Sequence, residues 1–380
     1  MSVASDMRPL RLLIAGGGTG GHLFPGVALA EELRRRDPDA EVLFVGTERG
    51  IESRVLPGLG WALQHIEVSG IKTVGIIGAM RGVMRIPGSI LQSRRIIKSF
   101  APDVVIGVGG YASGPVVLAA RLMGISTAIL EQNSIPGLTN RILGKFAKRI
   151  FLSFAHSQSF FKASKSVLIG NPLRRQILEG LQGESQASEP SEPSEPLRLF
   201  IFGGSQGAVA VNEMCCKALG QLAAEGLGFR VVHQVGKNLQ ATEALYKEAK
   251  VDAECRSFID DMAKEYKAAD IIIARAGATT IAELGIACRP AILIPYPFAA
   301  NNHQELNAEE MVEAGAALML RQKGNEDGTR LAAHLRELCQ SEAKRRSMSE
   351  SMRKLGRANA AEQVIDWALG RSEATARLEL

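Results

Sequence analysis

The chain has 380 residues, of which 46% are hydrophobic and 22% charged, a composition that excludes a disordered or collagen-like protein. Its net charge is +5, and its length suits two domains of about 150–200 residues better than one core. Five cysteines without a C-x-x-C pair argue against a disulfide scaffold, no run of about 18 uncharged apolar residues predicts a membrane span, and the first ten residues lack a secretory signal.

Apolar runs alternate with helical patterns through the first half of the chain. Strands are predicted at 10–15, 41–45, 103–106, 126–130 and 149–153. A helix is predicted at 25–36, because Pro25 suits a first helical position and Leu29 and Leu33 are spaced i, i+4. Such alternation indicates βαβ units on a parallel sheet, and therefore an α/β fold.

The alternation stops at 183–196, which consists almost entirely of serine, glutamate and proline and is predicted to be a flexible connector. It resumes with strands predicted at 197–202, 229–234, 271–274 and 291–294. The stretch 341–369 has helical spacing of apolar residues. The predicted domains are 8–175, a linker at 176–196, 197–340, and C-terminal helices in 341–380.

The first glycine-rich loop, 16–21, follows a predicted strand and precedes a helix. Glycines let a backbone approach a diphosphate closely, and a helix N-terminus adds about half a positive charge. The spacing also fits a dinucleotide loop, but the second strand ends at Gly46 and Thr47 where such a site needs an acidic residue, which disfavours NAD. His22 follows the loop and is either a general base or a structural histidine.

Two further glycine-rich loops, 107–115 and 203–208, also follow predicted strands. Three such loops in two domains indicate a cleft that grips more than one phosphate-bearing group. The segment 275–283 places amides at a helix start, and Glu283 either accepts hydrogen bonds from two ribose hydroxyls or is an ordinary carboxylate of a first turn. The polar segment 295–308 suits sugar hydroxyls or the capping of the next helix.

Seven segments occur in the order GGGTGGH, GGYASGP, EQNSIPGLTN, GNPLR, FGGSQGA, RAGATTIAE and AANNHQELNA. In this order, over about residues 10–370, they resemble the bacterial MurG family. The resemblance implies the GT-B fold, with two Rossmann-like domains across a cleft and a C-terminal helix that crosses back to the first domain. It also implies transfer of GlcNAc from UDP-GlcNAc to the MurNAc 4-hydroxyl of lipid I, which gives lipid II for peptidoglycan synthesis.

The resemblance further implies which residues form the site. For UDP-GlcNAc these are Thr19, Gly20, Gly21, Asn133, Arg174, Ser205, Ile259, Ala278, Thr279, Thr280, Ile281, Ala282, Glu283 and Gln304. Within this set, Ser205 contacts phosphate, the backbone of Ile259 the uracil, and 278–280 the diphosphate. Glu283 then contacts the ribose, and Gln304 the GlcNAc hydroxyls. The lipid diphosphate of the acceptor faces Gly18, Gly109, Gly110, Tyr111 and Ser113.

An inverting transfer needs a base for the acceptor hydroxyl and a stabiliser for the departing UDP. Many members of the family have a histidine where Leu130 stands here, so that histidine is not required, and His22 is the predicted base. Helix N-termini and loop amides are the predicted stabilisers. No cofactor or metal is expected, because the D-x-D at 37–39 lies in a predicted turn and no His/Cys cluster has ligand spacing.

Basic residues are concentrated between Glu67 and Asp103, where six occur without any acidic residue. Because the net charge is +5, the rest of the chain sums to about −1, and the basic excess is assigned to this window. Apolar residues lie between the basic ones, as on a surface that rests on anionic lipid; the alternative is a packed amphipathic segment. The predicted membrane surface is Ile76, Ile77, Met80, Arg81, Met84 and Arg85.

The expected partners are UDP-GlcNAc, lipid I and an anionic lipid surface, at the cytoplasmic face of the inner membrane. The cell-wall synthesis machinery is left open as a further partner, and nucleic acid is not expected because the chain has no nucleic-acid-binding motif. The alternatives are a UDP-sugar transferase for another lipid such as diacylglycerol, a UDP-GlcNAc epimerase, and a non-catalytic nucleotide-sugar-binding subunit. The segments GGYASGP and EQNSIPG favour the MurG reaction, and His22, Glu283 and Gln304 argue against a non-catalytic subunit.

Overall fold

The structure, a computed structural model, describes residues 9–68, 75–182, 196–204 and 207–371, with the backbone alone at 75–86. The chain divides into two compact units. One consists of 1–175 with 358–380, and the other of 176–357. Each unit is built on its own sheet, and both sheets are parallel, as the alternating pattern predicts.

The described residues of the first unit form a sheet of seven parallel strands. The strands are β1 (Arg11–Gly16), β2 (Glu41–Gly46), β3 (Ala62–His65), β4 (Val104–Gly109), β5 (Ser126–Glu131), β6 (Arg149–Leu152) and β7 (Ser166–Leu168). The helices are α1 (Gly20–Arg36), α2 (Glu52–Gly58), α3 (Gly75–Phe100), α4 (Ser113–Leu122), α5 (Leu138–Leu143) and, from the far end of the chain, α14 (Ala360–Ala368). The strand order is β3-β2-β1-β4-β5-β6-β7.

This order reverses beside β1, with β2 on one side and β4 on the other. Ligands of doubly wound sheets bind at such a switch point, outside the carboxyl ends of the strands. The strand β1 is apolar from Leu12 to Ala15 because both of its faces are covered: Ile14 belongs to one core cluster and Leu13 to another. The glycine loops after β1 and β4 therefore start from two rigid, buried, neighbouring strands.

The helix α14 completes the core of the first unit. Its residues Val364 and Ile365 are fully buried in the cluster that contains Leu29 of α1. Asp366 pairs with Arg36 at the end of α1, with 2.5 Å between the carboxylate oxygen and the guanidinium nitrogen. Residues more than 300 positions apart thus form one hydrophobic core.

The second unit repeats the architecture. Its strands are β8 (Leu197–Phe202), β9 (Phe229–Gln234), β10 (Ala253–Arg256), β11 (Ile271–Ala274), β12 (Ala291–Leu293) and β13 (Ala317–Met319), in the order β10-β9-β8-β11-β12-β13. Its helices are α6 (Arg175–Gln182), α7 (Val209–Ala224), α8 (Leu239–Glu248), α9 (Met262–Ala268), α10 (Ala278–Ala287), α11 (His303–Glu313), α12 (Thr329–Gln340) and α13 (Glu342–Leu355). The switch point here lies between β8 and β11.

One predicted helix begins at a different residue in the structure. The helix α1 begins at Gly20 rather than at 25, so Pro25 lies inside it. Proline has no N–H, so the carbonyl four residues earlier lacks its helical hydrogen bond. This carbonyl belongs to Gly21, which is exposed to solvent, and the helix therefore tolerates the proline. The segment 341–369 forms two helices, of which α13 packs against α10 and α14 against α1.

The segment 176–196 is not a connector throughout. Residues 176–182 belong to α6, in which Ile177 and Leu181 are buried. Residues 183–195 lie outside the described residues. The short strands β3, β7, β10 and β13 were not predicted.

Candidate active site

In the first unit, the loops that follow β1 and β4 interlock. The N–H of Gly17 donates to the carbonyl oxygen of Gly109 at 3.2 Å. A Cβ on Gly16 would lie 2.2 Å from that oxygen, and a Cβ on Gly110 would lie 2.4 Å from the carbonyl oxygen of Gly17. All four residues have positive φ values, which glycine adopts without strain. The two loops therefore form one backbone cradle that only glycine can build.

His22 lies in the first turn of α1 and is half-buried against this cradle. A Cβ on Gly109 would lie 2.6 Å from its Nδ1, so the absence of a side chain there makes room for the ring. The Nδ1 atom lies 3.1 Å from Oε1 of Gln132, and Nε2 of Gln132 donates to the carbonyl of Val108 at 2.9 Å. Gln132 is buried, so the predicted base is held by a rigid, solvent-excluded amide that was not predicted.

Glu52, which was also not predicted, holds the first glycine loop in place. Its carboxylate accepts from the N–H of Gly18 at 2.7 Å, and from the N–H and hydroxyl of Thr47 at 2.8 and 3.1 Å. The side chain is 1% exposed. A Cβ added to Gly17, Gly46 or Gly50 would lie within 2.5 Å of it, so glycine at these positions leaves room for the carboxylate. In the sequence, the only indication of this role is that Glu52 is an acidic residue in a segment flanked by glycines.

Glu131 anchors the turn that presents Gln132. Its carboxylate accepts from the N–H of Asn133 at 3.0 Å, the N–H of Gly137 at 3.2 Å and Nδ2 of Asn140 at 2.9 Å. Burial raises the pKa of Glu131 to about 7, and these hydrogen bonds oppose the shift. The predicted donor residue Asn133 is half-buried in this turn.

The predicted acceptor residues fall into two groups. Gly109 and Gly110 build the cradle, and Gly18 and Tyr111 beside it are exposed. Ser113 differs, because it is fully buried and its hydroxyl occupies the space where a Cβ on Gly107 would lie, at 2.4 Å. The Ser113 side chain therefore points into the protein.

The remaining predicted donor residues of the first unit lie at the start of α1 and near it. Thr19 is the N-cap of α1, and Thr19 and Gly21 are exposed while Gly20 is half-buried. Arg174 stacks its guanidinium over the ring of Phe24, 4.5 Å from the centroid. This stacking holds the guanidinium of Arg174 against α1.

In the second unit, α10 begins three residues after β11. Its N-cap is Gly277, which offers no side chain to the first amides of the helix, and the predicted residues 278–280 form the first turn. Such a helix start attracts anions. The neighbouring guanidinium of Arg275 is buried and donates to the carbonyls of Ile294 and Pro295. Burial lowers its pKa only to about 10, so it stays charged and adds to the positive field.

Glu283 lies in the second turn of α10 and is half-buried. The hydroxyl of Tyr266 donates to its Oε2 at 2.8 Å. Tyr266 is fully buried, and its ring lies edge-on to Phe200 and Phe202 of β8. The carboxylate is thus oriented by a residue that cannot move. Of the other predicted residues on α10, Ile281 is buried in the protein and Ala282 is half-buried.

Gln234, at the end of β9, joins two predicted donor elements. Its Nε2 donates to the carbonyl of Gly204, and its Oε1 accepts from the N–H of Ile259 at 2.9 Å. The N–H of Ile259 is therefore engaged within the protein. The Oε1 atom of Gln304 accepts a hydrogen bond from the N–H of Tyr296 at 3.0 Å. The Nε2 atom is the hydrogen-bond donor of this side chain.

Some predictions lie outside the described residues. Ser205 is one, and so are the side chains of Ile76, Ile77, Met80, Arg81, Met84 and Arg85, whose backbone belongs to α3. Within the described ranges, no three His, Cys, Asp or Glu residues are grouped as metal ligands would be. No helix in those ranges combines the length and apolar character needed to cross a membrane.

Two family models match the chain, the glycosyltransferase family 28 N-terminal domain at 12–152 and C-terminal domain at 198–364. The chain belongs to glycosyltransferase family 28. A protein of Syntrophus aciditrophicus named UDP-N-acetylglucosamine--N-acetylmuramyl-(pentapeptide) pyrophosphoryl-undecaprenol N-acetylglucosamine transferase is 47% identical over 94% of this chain and 97% of that protein. The protein of the same name from Myxococcus xanthus is 45% identical, over 94% of this chain and 92% of its own.

Among solved structures, MurG of Acinetobacter baumannii is 32% identical, with a TM-score of 0.77 over 95% of this chain and 100% of that one. A UDP-GlcNAc 2-epimerase from Neisseria meningitidis bound to UDP-GlcNAc has a TM-score of 0.65 at 14% identity, over 95% of this chain and 100% of that one, which shows the fold alone. These findings confirm the GT-B fold class, the MurG resemblance and the identification as a glycosyltransferase.

The family-28 chain thus has two sets of predicted site residues, each at a switch point. His22 and three predicted glycines meet at the first, where Gln132 and Glu52 hold them. Residues 278–283 form the second, where Tyr266 and Gln234 hold Glu283 and the backbone of Ile259. These four supporting residues were missed because a buried polar side chain has no sequence pattern of its own.

Proposed function

We propose that this chain is an inverting N-acetylglucosaminyltransferase. It moves GlcNAc from UDP-GlcNAc to the 4-hydroxyl of MurNAc in undecaprenyl-diphosphate-MurNAc-pentapeptide, lipid I, and so forms lipid II for peptidoglycan synthesis. The names of relatives 44–47% identical to the chain support this donor and acceptor. The single observation that carries the proposal is the imidazole of His22, held by Gln132 at the interlocked glycine loops.

The donor is assigned to the second unit. The amides at the start of α10 and the buried charge of Arg275 suit the diphosphate of UDP, and the positive end of the helix strengthens this preference. Glu283 accepts hydrogen bonds from the ribose hydroxyls, with Tyr266 fixing its orientation. Gln304 and the carbonyl of Ile259 contact the GlcNAc hydroxyls and the uracil.

The acceptor is assigned to the first unit, where the backbone of the cradle faces the lipid diphosphate. In the transfer, the MurNAc O4 attacks C1 of GlcNAc while the bond from C1 to the diphosphate oxygen breaks. The O4 proton passes to His22, and the electron pair of the broken bond leaves with UDP. One displacement converts the α-linkage of the donor into a β-linkage, and the amides of α10 stabilise the charge on the departing UDP.

The experiment is UDP release by the purified full-length protein with UDP-GlcNAc and a short-chain lipid I analogue. We expect release only with acceptor, and a β-1,4-linked disaccharide as product. The matched control is the same analogue without its 4-hydroxyl, which should release nothing. UDP formed without acceptor would favour an epimerase or hydrolase, and bound UDP-GlcNAc without turnover would contradict the proposed acceptor.

We also propose that the protein works as a peripheral protein at the cytoplasmic face of the membrane. Between Glu131 and Glu179 there are eight basic residues and no acidic one, so the basic charge is not confined to 68–102 as the charge count suggested. Here three apolar side chains at every fourth position are 46–51% exposed, and Arg141 and Lys145 lie exposed between them. The apolar residues are Leu138, Ile142 and Phe146.

The helix α5 and the helix α3, to which the predicted membrane residues belong, both pack against α4. Apolar side chains among basic ones suit the headgroup region of an anionic bilayer, where each basic group contributes about 1 kcal/mol. We expect Ile142→Asp to weaken sedimentation with phosphatidylglycerol vesicles by at least about tenfold, and Arg81→Glu with Arg85→Glu to do the same. Val312→Asp, on an exposed site of the second unit, is the control; equal sedimentation of all variants would contradict the proposal.

A further inference from the structure

The carboxamide of Gln132 meets a different kind of group at each end. The carbonyl oxygen of Val108 only accepts hydrogen bonds, so the Gln132 atom that lies 2.9 Å from it is the amide nitrogen. The amide oxygen therefore faces Nδ1 of His22 at 3.1 Å. An amide oxygen also only accepts, and so Nδ1 is the nitrogen that carries the proton.

The surroundings make this arrangement hard to reverse. Gln132 is 1% exposed, so water does not compete for either end of the amide. It lies directly after β5, whose last residue Glu131 is fixed by three hydrogen bonds. Turning the amide over would set its nitrogen against Nδ1–H and its oxygen against the carbonyl of Val108, and would leave buried polar groups unsatisfied at a cost of about 1–3 kcal/mol each.

We propose that Gln132 is a positioning residue that fixes the tautomer of His22, and so decides which ring nitrogen takes the proton of the attacking hydroxyl. A neutral imidazole has one N–H, so with the proton on Nδ1 the lone pair is on Nε2. The proton leaves the hydroxyl oxygen for Nε2, and the imidazolium then keeps Nδ1–H on the oxygen of Gln132. The kinetic consequence rests on the proposed function, whereas the tautomer does not.

The tautomer is read by NMR on the full-length protein labelled with ¹⁵N-histidine, where protonated and unprotonated ring nitrogens give distinct shifts. The signals of His22 are identified by their loss in His22→Ala. In the wild type we expect Nδ1 protonated and Nε2 unprotonated. Gln132→Met keeps the length of the side chain but removes the acceptor, and should shift His22 towards a mixture of tautomers.

Kinetics supply the second readout. We expect Gln132→Met to lower kcat at least about tenfold and to change the KM for UDP-GlcNAc less, because the groups assigned to the uracil, ribose and diphosphate lie in the second unit. Gln132→Glu keeps an oxygen facing Nδ1, and should retain the wild-type tautomer. Gln221→Met, which removes an amide on α7 that donates to the carbonyl of Asp327, is the control and should change neither readout.

A wild-type His22 with its proton on Nε2 would overturn the inference, as would a Gln132→Met protein that keeps both tautomer and kcat. Should Gln132→Met not fold, the spectra of the wild type and Gln132→Glu still decide the tautomer. Failure of the wild type to use the lipid I analogue would count against the proposed function alone, since the spectrum is recorded without substrate.

Discussion

Each unit has a sheet whose strand order reverses between two neighbouring strands, β1 and β4 in the first and β8 and β11 in the second. In the first unit, Gln132 and Glu52 lie beneath the loops and hold an imidazole and a backbone cradle. In the second, a helix begins at the switch point, and Tyr266 orients the carboxylate of Glu283. We therefore expect one topology to support proton transfer in one unit and binding of a charged nucleotide in the other.

The difference lies in the side chains beneath the loops more than in the loops themselves. Both units use glycine where backbones approach closely, for example at Gly109, and at Gly207, where a Cβ would lie 2.3 Å from the carbonyl of Val235. The units differ in the group that lies at the switch point. In the first unit it is the imidazole of His22, and in the second it is the row of backbone amides at the start of α10. Substitutions in one unit should therefore change kcat, and those in the other should change donor affinity.

The largest effect is expected for His22→Ala. Loss of the base should lower kcat at least about a hundredfold and leave the dissociation constant of UDP-GlcNAc nearly unchanged. Steady-state kinetics with the lipid I analogue, together with calorimetric titration of the donor, separate the two quantities. His65→Ala removes an exposed histidine of the same unit and is the control. A kcat near that of the wild type in folded His22→Ala would remove His22 as the base.

Glu283→Ala should show the opposite behaviour. Losing hydrogen bonds to a charged group costs about 1.5–3 kcal/mol, which corresponds to a rise of about 10- to 100-fold in the KM for UDP-GlcNAc, with a smaller change in kcat. Tyr266→Phe, which removes only the orienting hydroxyl, should have a weaker effect of the same kind. Glu313→Ala on the exposed side of α11 is the control. Equal KM values for Glu283→Ala and the wild type would contradict the donor assignment.

Glu52→Gln tests the support of the first cradle through stability. An amide nitrogen would then face the N–H groups of Gly18 or Thr47, so we expect the free energy of unfolding to fall by about 1–3 kcal/mol. Urea denaturation gives this quantity, and Glu48→Gln at an exposed neighbouring site is the control. If both variants unfold as the wild type does, the carboxylate is not needed for the loop.

Stability should depend on pH in opposite directions in the two units. Burial raises the pKa of Glu131 in the first unit from 4.5 to about 7, so its contribution to stability is full below pH 4.5 and is lost as the pH rises to 7. Burial lowers the pKa of His233 in the second unit from 6.5 to about 3, so its contribution is full above pH 6.5 and is lost as the pH falls to 3.

Hydrogen exchange measured between pH 4.5 and 7, corrected for the intrinsic rate, reports the two units separately. Relative to Glu131→Gln, protection of β5 in the wild type should fall as the pH rises. Relative to His233→Asn, protection of β9 in the wild type should rise as the pH rises. The same direction of change in both units would contradict this assignment of the two groups.

Much of the fold could be predicted because buried parallel strands contain runs of apolar residues. The strands predicted at 197–202, 229–234 and 271–274 agree end to end with β8, β9 and β11. The strands β3 and β10, with sequences ALQH and AECR, were missed because polar residues interrupt short edge strands. The break between α13 and α14 falls at residues 356–359, where Gly356 and Asn359 are ordinary signals for a helix end and a new start.

The glycine loops and His22 could be predicted because clustered glycines and a single histidine have few functions in proteins. Their positions directly after strands reduce the number of possible functions further. The supporting residues could not, because their partners are distant in the chain. Gln132 meets His22 across 110 residues, and Glu52 meets Gly18 across 34. A glutamine after a strand has the same local pattern whether or not a histidine lies opposite.

The position of α14 has a consequence for how the protein is made. Val364 and Ile365 fill a core whose members outside α14 come from the first 170 residues, so a nascent chain cannot close that core when its first sheet leaves the ribosome. Synthesis of residues 176–357 takes about 10–40 s at usual elongation rates. During that time the apolar side of α1 is open to chaperones, and the second unit, although made later, can finish folding first.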